Sequence, residues 1–147
     1  MSGAVPGISE NQSLDEVMLA MDAERMALLG LISNDGIAFK DSFENFYAKY
    51  ALGKHTLSET LRQSPIHGDS IPAPAAIDTR YLNEDLPFGL APWSSIGRMW
   101  DLPTPKVDAV IQIASIMTEV DYFTAGLTVD DLGIKGMTPE DVRELVG

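Results

Sequence analysis

SLDEVMLAMDAERMALLGLI, running from Ser13 to Ile32, decides the fold class. Leu14, Val17, Met18, Met21, Leu28, Leu29 and Ile32 recur at three- and four-residue spacing, which is the period of an amphipathic helix and not the two-residue alternation of a strand. Asp15, Asp22, Glu24 and Arg25 fall mostly on the other side, so an apolar face against a core and a polar face toward water are expected. Ser13 with Glu16 three positions later forms a capping box, in which each side chain satisfies the other's orphan backbone N–H. A helix over 14–32 follows.

Outward from this stretch the same signals repeat. Asn34-Asp35-Gly36 carries turn chemistry, and Phe43, Phe46, Tyr47 and Tyr50 place an aromatic stripe, read as core, on a second helix ending near Gly53. Thr56 with Glu59 is another capping box, for a short helix carrying Leu57 and Leu61. Gln63 to Thr79, rich in Pro, Ser and Thr, reads as a long connection, and ordered long connections are often functional. Arg80 to Leu86 reads as a short helix stopped by Pro87, because the residue before proline is pushed away from helical angles. Ser94 to Trp100 reads as another. Thr104-Pro105 is a cap followed by proline at the first helical position, and Val107, Val110, Ile111, Ala114 and Met117 give a buried face to about Glu119. Thr128 is expected to cap Val129 to Leu132, and Thr138-Pro139-Glu140-Asp141 to start a last helix carrying Val142 and Leu145. No segment alternates with period two. The expectation is an all-α fold, a single compact multi-helix domain over 13–147 after an N-terminal extension over 1–12, with two long helices, several short ones and no Rossmann domain.

Composition narrows the function classes. The 147 residues hold 10 Lys and Arg against 22 Asp and Glu, a net charge of −12, with 45% hydrophobic and 22% charged residues. That suits about one folded domain, able to bury about 70% of its unfolded surface. Nucleic acids and anionic membranes are poor partners for such a charge, since affinity for phosphates comes largely from Lys and Arg displacing counterions. Without cysteine there is no disulfide, thiolate zinc site or cysteine nucleophile, and His55 and His67 alone do not build a metal site, so no metal is expected. Each histidine reads more readily as an exposed loop residue than as a proton shuttle. The first residues carry no basic and apolar leader, and no run of apolar residues is long enough to span a bilayer, so a cytoplasmic protein is expected. The dinucleotide, P-loop, zinc-protease and serine-hydrolase signatures are all missing. The carboxylates Asp130, Asp131, Glu140 and Asp141 fall in first turns of expected helices, where the dipole stabilises them without any catalytic role.

The unusual segment is DTRYLNEDLPFGL, Asp78 to Leu90. On a helix, Arg80 and Glu84 are an i,i+4 pair worth about 0.2–0.5 kcal/mol, a packing role that needs no chemistry. Asp85 fits that role badly, because it would sit at the negative end of a short helix unless a cation or an imidazole N–H met it. A carboxylate so placed is a candidate for orienting a catalytic histidine.

At these residues the sequence resembles the C-terminal helical domain of octopine/nopaline-type opine dehydrogenases. The resemblance is carried by Arg80 to Leu90, Pro103-Thr104-Pro105, Asp121-Tyr122, Gly126 to Gly133 and Gly136-Met137. It extends back through Met21-Asp22-Ala23-Glu24-Arg25 to about Ser13. It implies an NAD- or NADP-dependent enzyme that reductively condenses an amino acid with a 2-oxo acid such as pyruvate, across a cleft between a Rossmann domain and this helical domain. In the family, a histidine at the end of the nucleotide-binding half is the acid/base and the aspartate of R-Y-x-x-E-D-x-P is its partner, which maps onto Asp85. The motif arginine maps onto Arg80, with Tyr81 and Glu84 beside it on the substrate- or cofactor-binding side.

Two departures stand out. The Rossmann domain that would hold the cofactor is absent from these residues, and the family's Gly-Arg-Thr reads Gly126-Leu127-Thr128. The chain therefore resembles the substrate side of an enzyme, expected to be inactive alone and to need a Rossmann nucleotide-binding partner. The competing reading is a non-catalytic helical dimerisation or interaction module that kept the fold. Self-association as a homodimer is expected through an apolar patch of Tyr81, Phe88, Leu90, Trp93 and Trp100.

Overall fold

The computed structural model describes residues 12–33, 56–63 and 80–146. Its elements are α1 (Gln12–Ile32), α2 (Leu57–Gln63), α3 (Arg80–Asp85), a π-helical turn (Leu86–Leu90), α4 (Ala91–Met99), α5 (Pro105–Thr118), α6 (Tyr122–Ala125) and α7 (Pro139–Val146). No strand occurs among the described residues, as an all-α fold requires. The expected aromatic helix ending near Gly53, the Pro-rich connection beyond Gln63, His55 and His67 lie outside the described residues. Contacts divide the chain into two units, Met1–Ala23 with Asp41–Pro74, and Glu24–Lys40 with Ala75–Gly147.

In the first unit, α1 begins at Gln12, so Ser13 lies inside the first turn. The capping box of α2 forms as expected: Thr56 N–H donates to Glu59 Oε2 at 2.9 Å and Glu59 N–H to Thr56 Oγ1 at 3.2 Å. A further donor of this first turn, Ser58 N–H, is met by Asp15 Oδ2 of α1 at 3.1 Å, and the Ser58 hydroxyl donates to Asp15 Oδ1.

The second unit uses the same device. Lys106 N–H donates to both Glu24 carboxylate oxygens at 3.0 and 3.1 Å, and Val107 N–H donates to Oε2 at 3.0 Å. Glu24, 82 residues upstream of Lys106, is thus the cap of α5. The Thr104 side chain makes no cap hydrogen bond, contrary to expectation. These bonds overturn the expected solvent face of α1: Asp15, Asp22, Glu24 and Arg25 are buried, at 6%, 2%, 8% and 9% exposure, whereas Val17 is 45% exposed. Hydrophobic spacing locates a helix but cannot tell a solvated carboxylate from one that closes another helix's N-terminus.

Val107, Ile111 and Ala114 form the inner face of α5, packed with Leu86, Ala91 and Tyr122 in this unit's core. Met117, expected on that face, is instead 52% exposed. At the far end of α1, an Arg143 N–H from α7 donates to Leu31 O at 2.6 Å, a cation meeting the negative end of a helix. Thr128 and Asp131 make their cap, but the backbone closes a single turn instead of a helix, with Ile134 N–H returning to Val129 O at 3.0 Å. Thr138 and Asp141 cap α7 as expected.

Glu24→Ala leaves buried N–H donors at the start of α5 and should cost roughly 2–3 kcal/mol in urea denaturation, with Glu24→Gln costing less because it keeps an acceptor. The Thr128 hydroxyl, then its N–H, holds Asp131 below the usual carboxylate range, and the Thr138 N–H, then its hydroxyl, does the same for Asp141. A lowered folded pKa stabilises above the unfolded value, and the contribution is lost as pH falls through the folded one. Protection of the amides in the turn after Thr128 and in α7, taken relative to their intrinsic exchange rates, should therefore fall below about pH 4, where unfolded carboxylates titrate.

Candidate functional site

Arg80 to Met99 is one helical path, not two helices broken at Pro87. Proline lacks an N–H and its ring collides with the carbonyl four residues back. Here the path widens by one residue per turn: Ala91 N–H donates to Leu86 O, an i to i−5 bond of the π type. In that register the donor for Pro87 O would be residue 92, which is also a proline. Leu127 N–H takes its place at 2.8 Å.

That substitution fixes what lies behind the turn. Leu127 reaches Pro87 O because Gly126 sits flat against the helix, where an added Cβ would overlap Ala91 Cβ and come within 3.0 Å of Pro87 O. Tyr122, 3% exposed, donates its hydroxyl to Asn83 Oδ1 at 3.2 Å, and Asp121 caps α6 by accepting from Phe123 N–H at 3.1 Å. Asp121-Tyr122 and Gly126 therefore hold the segment Arg80 to Leu90 from its inner side. Leu127 serves through its backbone N–H, so the loss of an arginine at that position leaves the clamp intact.

The outer side of the same segment presents Arg80, Glu84, Asp85 and Phe88, all exposed. Arg80 and Glu84 form an ion pair at 3.3 Å with side chains 77% and 57% exposed, the packing pair expected from i,i+4 spacing. Asp85 does not end a helix, because the backbone continues through it at φ −71, ψ −32. Asp85 therefore does not face the negative end of a helix dipole, contrary to expectation. What remains is an exposed carboxylate that meets no hydrogen-bond or ion-pair partner among the described residues. Beside it Phe88 is 64% exposed. Leu90, Trp93 and Trp100, expected in an open patch, are half-buried, with Trp100 Nε1–H donating to Met137 O at 2.9 Å. The side chain of Tyr81 lies outside the described residues.

A carboxylate in this position can accept an imidazole or ammonium N–H brought from outside, and Arg80 can turn from Glu84 to a carboxylate or phosphate through its two-pronged fork. No cluster of three metal-ligating side chains occurs among the described residues. Sequence reasoning missed the Tyr122–Asn83 bond and the Leu127–Pro87 contact. Only the two prolines, five residues apart, hint at an orphan carbonyl.

Residues 8–118 match the family described as NAD/NADP octopine/nopaline dehydrogenase, alpha-helical domain. An opine dehydrogenase of Arthrobacter sp. (strain 1C) is 31% identical over 126 residues, which cover 86% of this chain and 34% of that protein. The chain thus spans about a third of its curated relative's length.

The two sides of the segment should respond differently to substitution. Arg80→Ala or Glu84→Ala should change stability by no more than about 0.5 kcal/mol. Gly126→Ala should cost about 1–3 kcal/mol through overpacking against Ala91 and Pro87. Urea unfolding of the three variants measures both.

Proposed function

This chain belongs to the NAD/NADP octopine/nopaline dehydrogenase alpha-helical domain family, and on that premise we propose that it is the substrate-side half of an opine-dehydrogenase-like oxidoreductase. The reaction is the reductive condensation of an amino acid with a 2-oxo acid, carried out in the cytoplasm with NAD or NADP as cofactor. The observation that carries the reading is the exposed Asp85 carboxylate on a helical segment clamped from behind by Tyr122 and Leu127.

The described residues contain no strand-to-helix glycine turn that would cradle a pyrophosphate. The cofactor therefore falls to a Rossmann nucleotide-binding half, in the same longer protein or in a separate chain. Bound there, it supplies the hydride. Asp85 accepts the imidazole N–H of a histidine on that half, fixes its tautomer and stabilises the imidazolium formed when it takes a proton. Arg80 exchanges its solvent-exposed pairing with Glu84 for the oxo-acid carboxylate or a cofactor phosphate, with Glu84 on the same face, and Tyr81 is kept as a substrate- or cofactor-binding residue.

The isolated chain should not oxidise NADH or NADPH with any amino acid and pyruvate. In the complete enzyme, Asp85→Asn should lower kcat by roughly 10²–10⁴, the range of a disabled general acid/base, with cofactor affinity changed much less. Arg80→Lys should raise KM for the oxo acid, because an ammonium cannot reproduce the fork. Retention of more than about a third of wild-type turnover by Asp85→Asn would reduce the segment to a packing device and favour the interaction-module reading.

A further inference from the structure

Among the described residues nothing requires position 89 to be glycine. Gly89 lies within the π turn on backbone that any residue adopts, for its φ is not positive. A Cβ built on it meets no described atom within 4 Å. Glycine inside a helical path lowers stability relative to alanine, because it has more backbone freedom to lose. The other glycines between residues 80 and 146 each have a cause. Gly97 and Gly126 are closed in by Leu102 O and Ala91 Cβ, and Gly133 and Gly136 have φ of +70 and +76. Gly30 of α1 is as open as Gly89, but the residue one turn before it is Met26, which belongs to no candidate site.

One turn before Gly89 stands Asp85. Helical side chains tilt toward the N-terminus and lie over the preceding turn, so any side chain at position 89 would cover that carboxylate. Asp85 is exposed and meets no partner among the described residues, and Phe88, next to the gap, is 64% exposed. We infer that Gly89 is a positioning residue: its missing side chain is the opening through which the imidazole of the Rossmann half reaches the Asp85 carboxylate. The inference rests on the proposed reaction and adds a steric condition to it. A hydrogen bond from imidazole to carboxylate brings the heavy atoms to about 2.7–2.9 Å, which seats the ring against the turn after Asp85. A methyl or larger group on residue 89 occupies that volume. The position gives up helix stability in exchange for access.

Opposite effects on stability and turnover are the signature. In the full chain, Gly89→Ala should raise the urea midpoint, since no described atom opposes the added methyl. In the enzyme completed by its Rossmann half, Gly89→Ala should lower kcat roughly threefold to tenfold and Gly89→Leu about a hundredfold, with KM for the cofactor changed much less. A carboxylate partner favours the imidazolium, so in the pH–rate profile of Gly89→Leu the pKa of the histidine should fall as it does in Asp85→Asn. The double variant Gly89→Leu with Asp85→Asn should be no slower than the slower single variant, because both remove the same contact. If Asp85→Asn keeps more than about a third of wild-type turnover, the reaction reading and this inference fall together. Three results would overturn this inference alone, with Asp85 keeping its role: wild-type turnover and pH profile in Gly89→Leu beside an impaired Asp85→Asn, losses that multiply in the double variant, or a lower urea midpoint for Gly89→Ala.

Discussion

Much of the second unit's order depends on one carboxylate. Glu24 accepts two backbone N–H groups of α5, one of them through both oxygens, and stands 3.3 Å from the Lys106 ammonium. An α-helix starts with donors that have no partner inside it, and here the missing acceptor comes from another helix, not from the residue before the turn. The direction of α5 is thereby set at its first turn. Once set, it carries Val107, Ile111 and Ala114 against the π turn and α6. Asp15 does the equivalent for α2 within the first unit. Both are acidic residues of α1 that a helical wheel assigns to water.

The candidate site is the outward expression of a backbone problem solved inward. Pro87 and Pro92 remove two donors from one helical path, and the resulting orphan carbonyl recruits Leu127 from the loop after α6. The motif Arg80 to Leu90 and the pair Asp121-Tyr122 are distant in sequence yet form one object: the latter's tyrosine holds Asn83, and the glycine that follows admits the loop. This gives a physical account of why those short stretches occur together. It also separates roles, since the residues facing outward are free to serve chemistry while those facing inward hold the backbone.

Legibility from the amino-acid sequence followed the range of each interaction. The capping boxes at Thr56 and Thr138 are three-residue patterns and formed as read. So did the proline-led start of α5 and its buried face as far as Ala114. What failed was non-local. Thr104 looks like a cap because its neighbours say so, yet its hydroxyl lies 3.5 Å from Asp108 while Glu24 takes the backbone donors. Pro87 looks like a stop because the rule for residues before proline is local, whereas the rescue of its carbonyl comes from forty residues downstream. At the site, the i,i+4 spacing of Arg80 and Glu84 was readable, and the ion pair formed. Asp85 was not readable in the same way, because the helix end expected at Pro87 is removed by the π turn.

The π turn also acts as a phase shifter. A residue of ordinary α-helix advances about 100° around the axis, so one additional residue taken up within a turn resets every later position by that angle. Upstream of the turn, Glu84 and Asp85 point outward, and downstream Ala91, Ser94 and Gly97 point inward, all buried. Straightening the path to plain α-helix, by shortening it one residue at Gly89, would rotate the two halves out of register: either the carboxylate turns toward the core or the small residues of α4 turn away from α5. The length of this turn is therefore as much a part of the site as the side chains it displays, and a related chain with one residue fewer here would present a different face under the same motif letters.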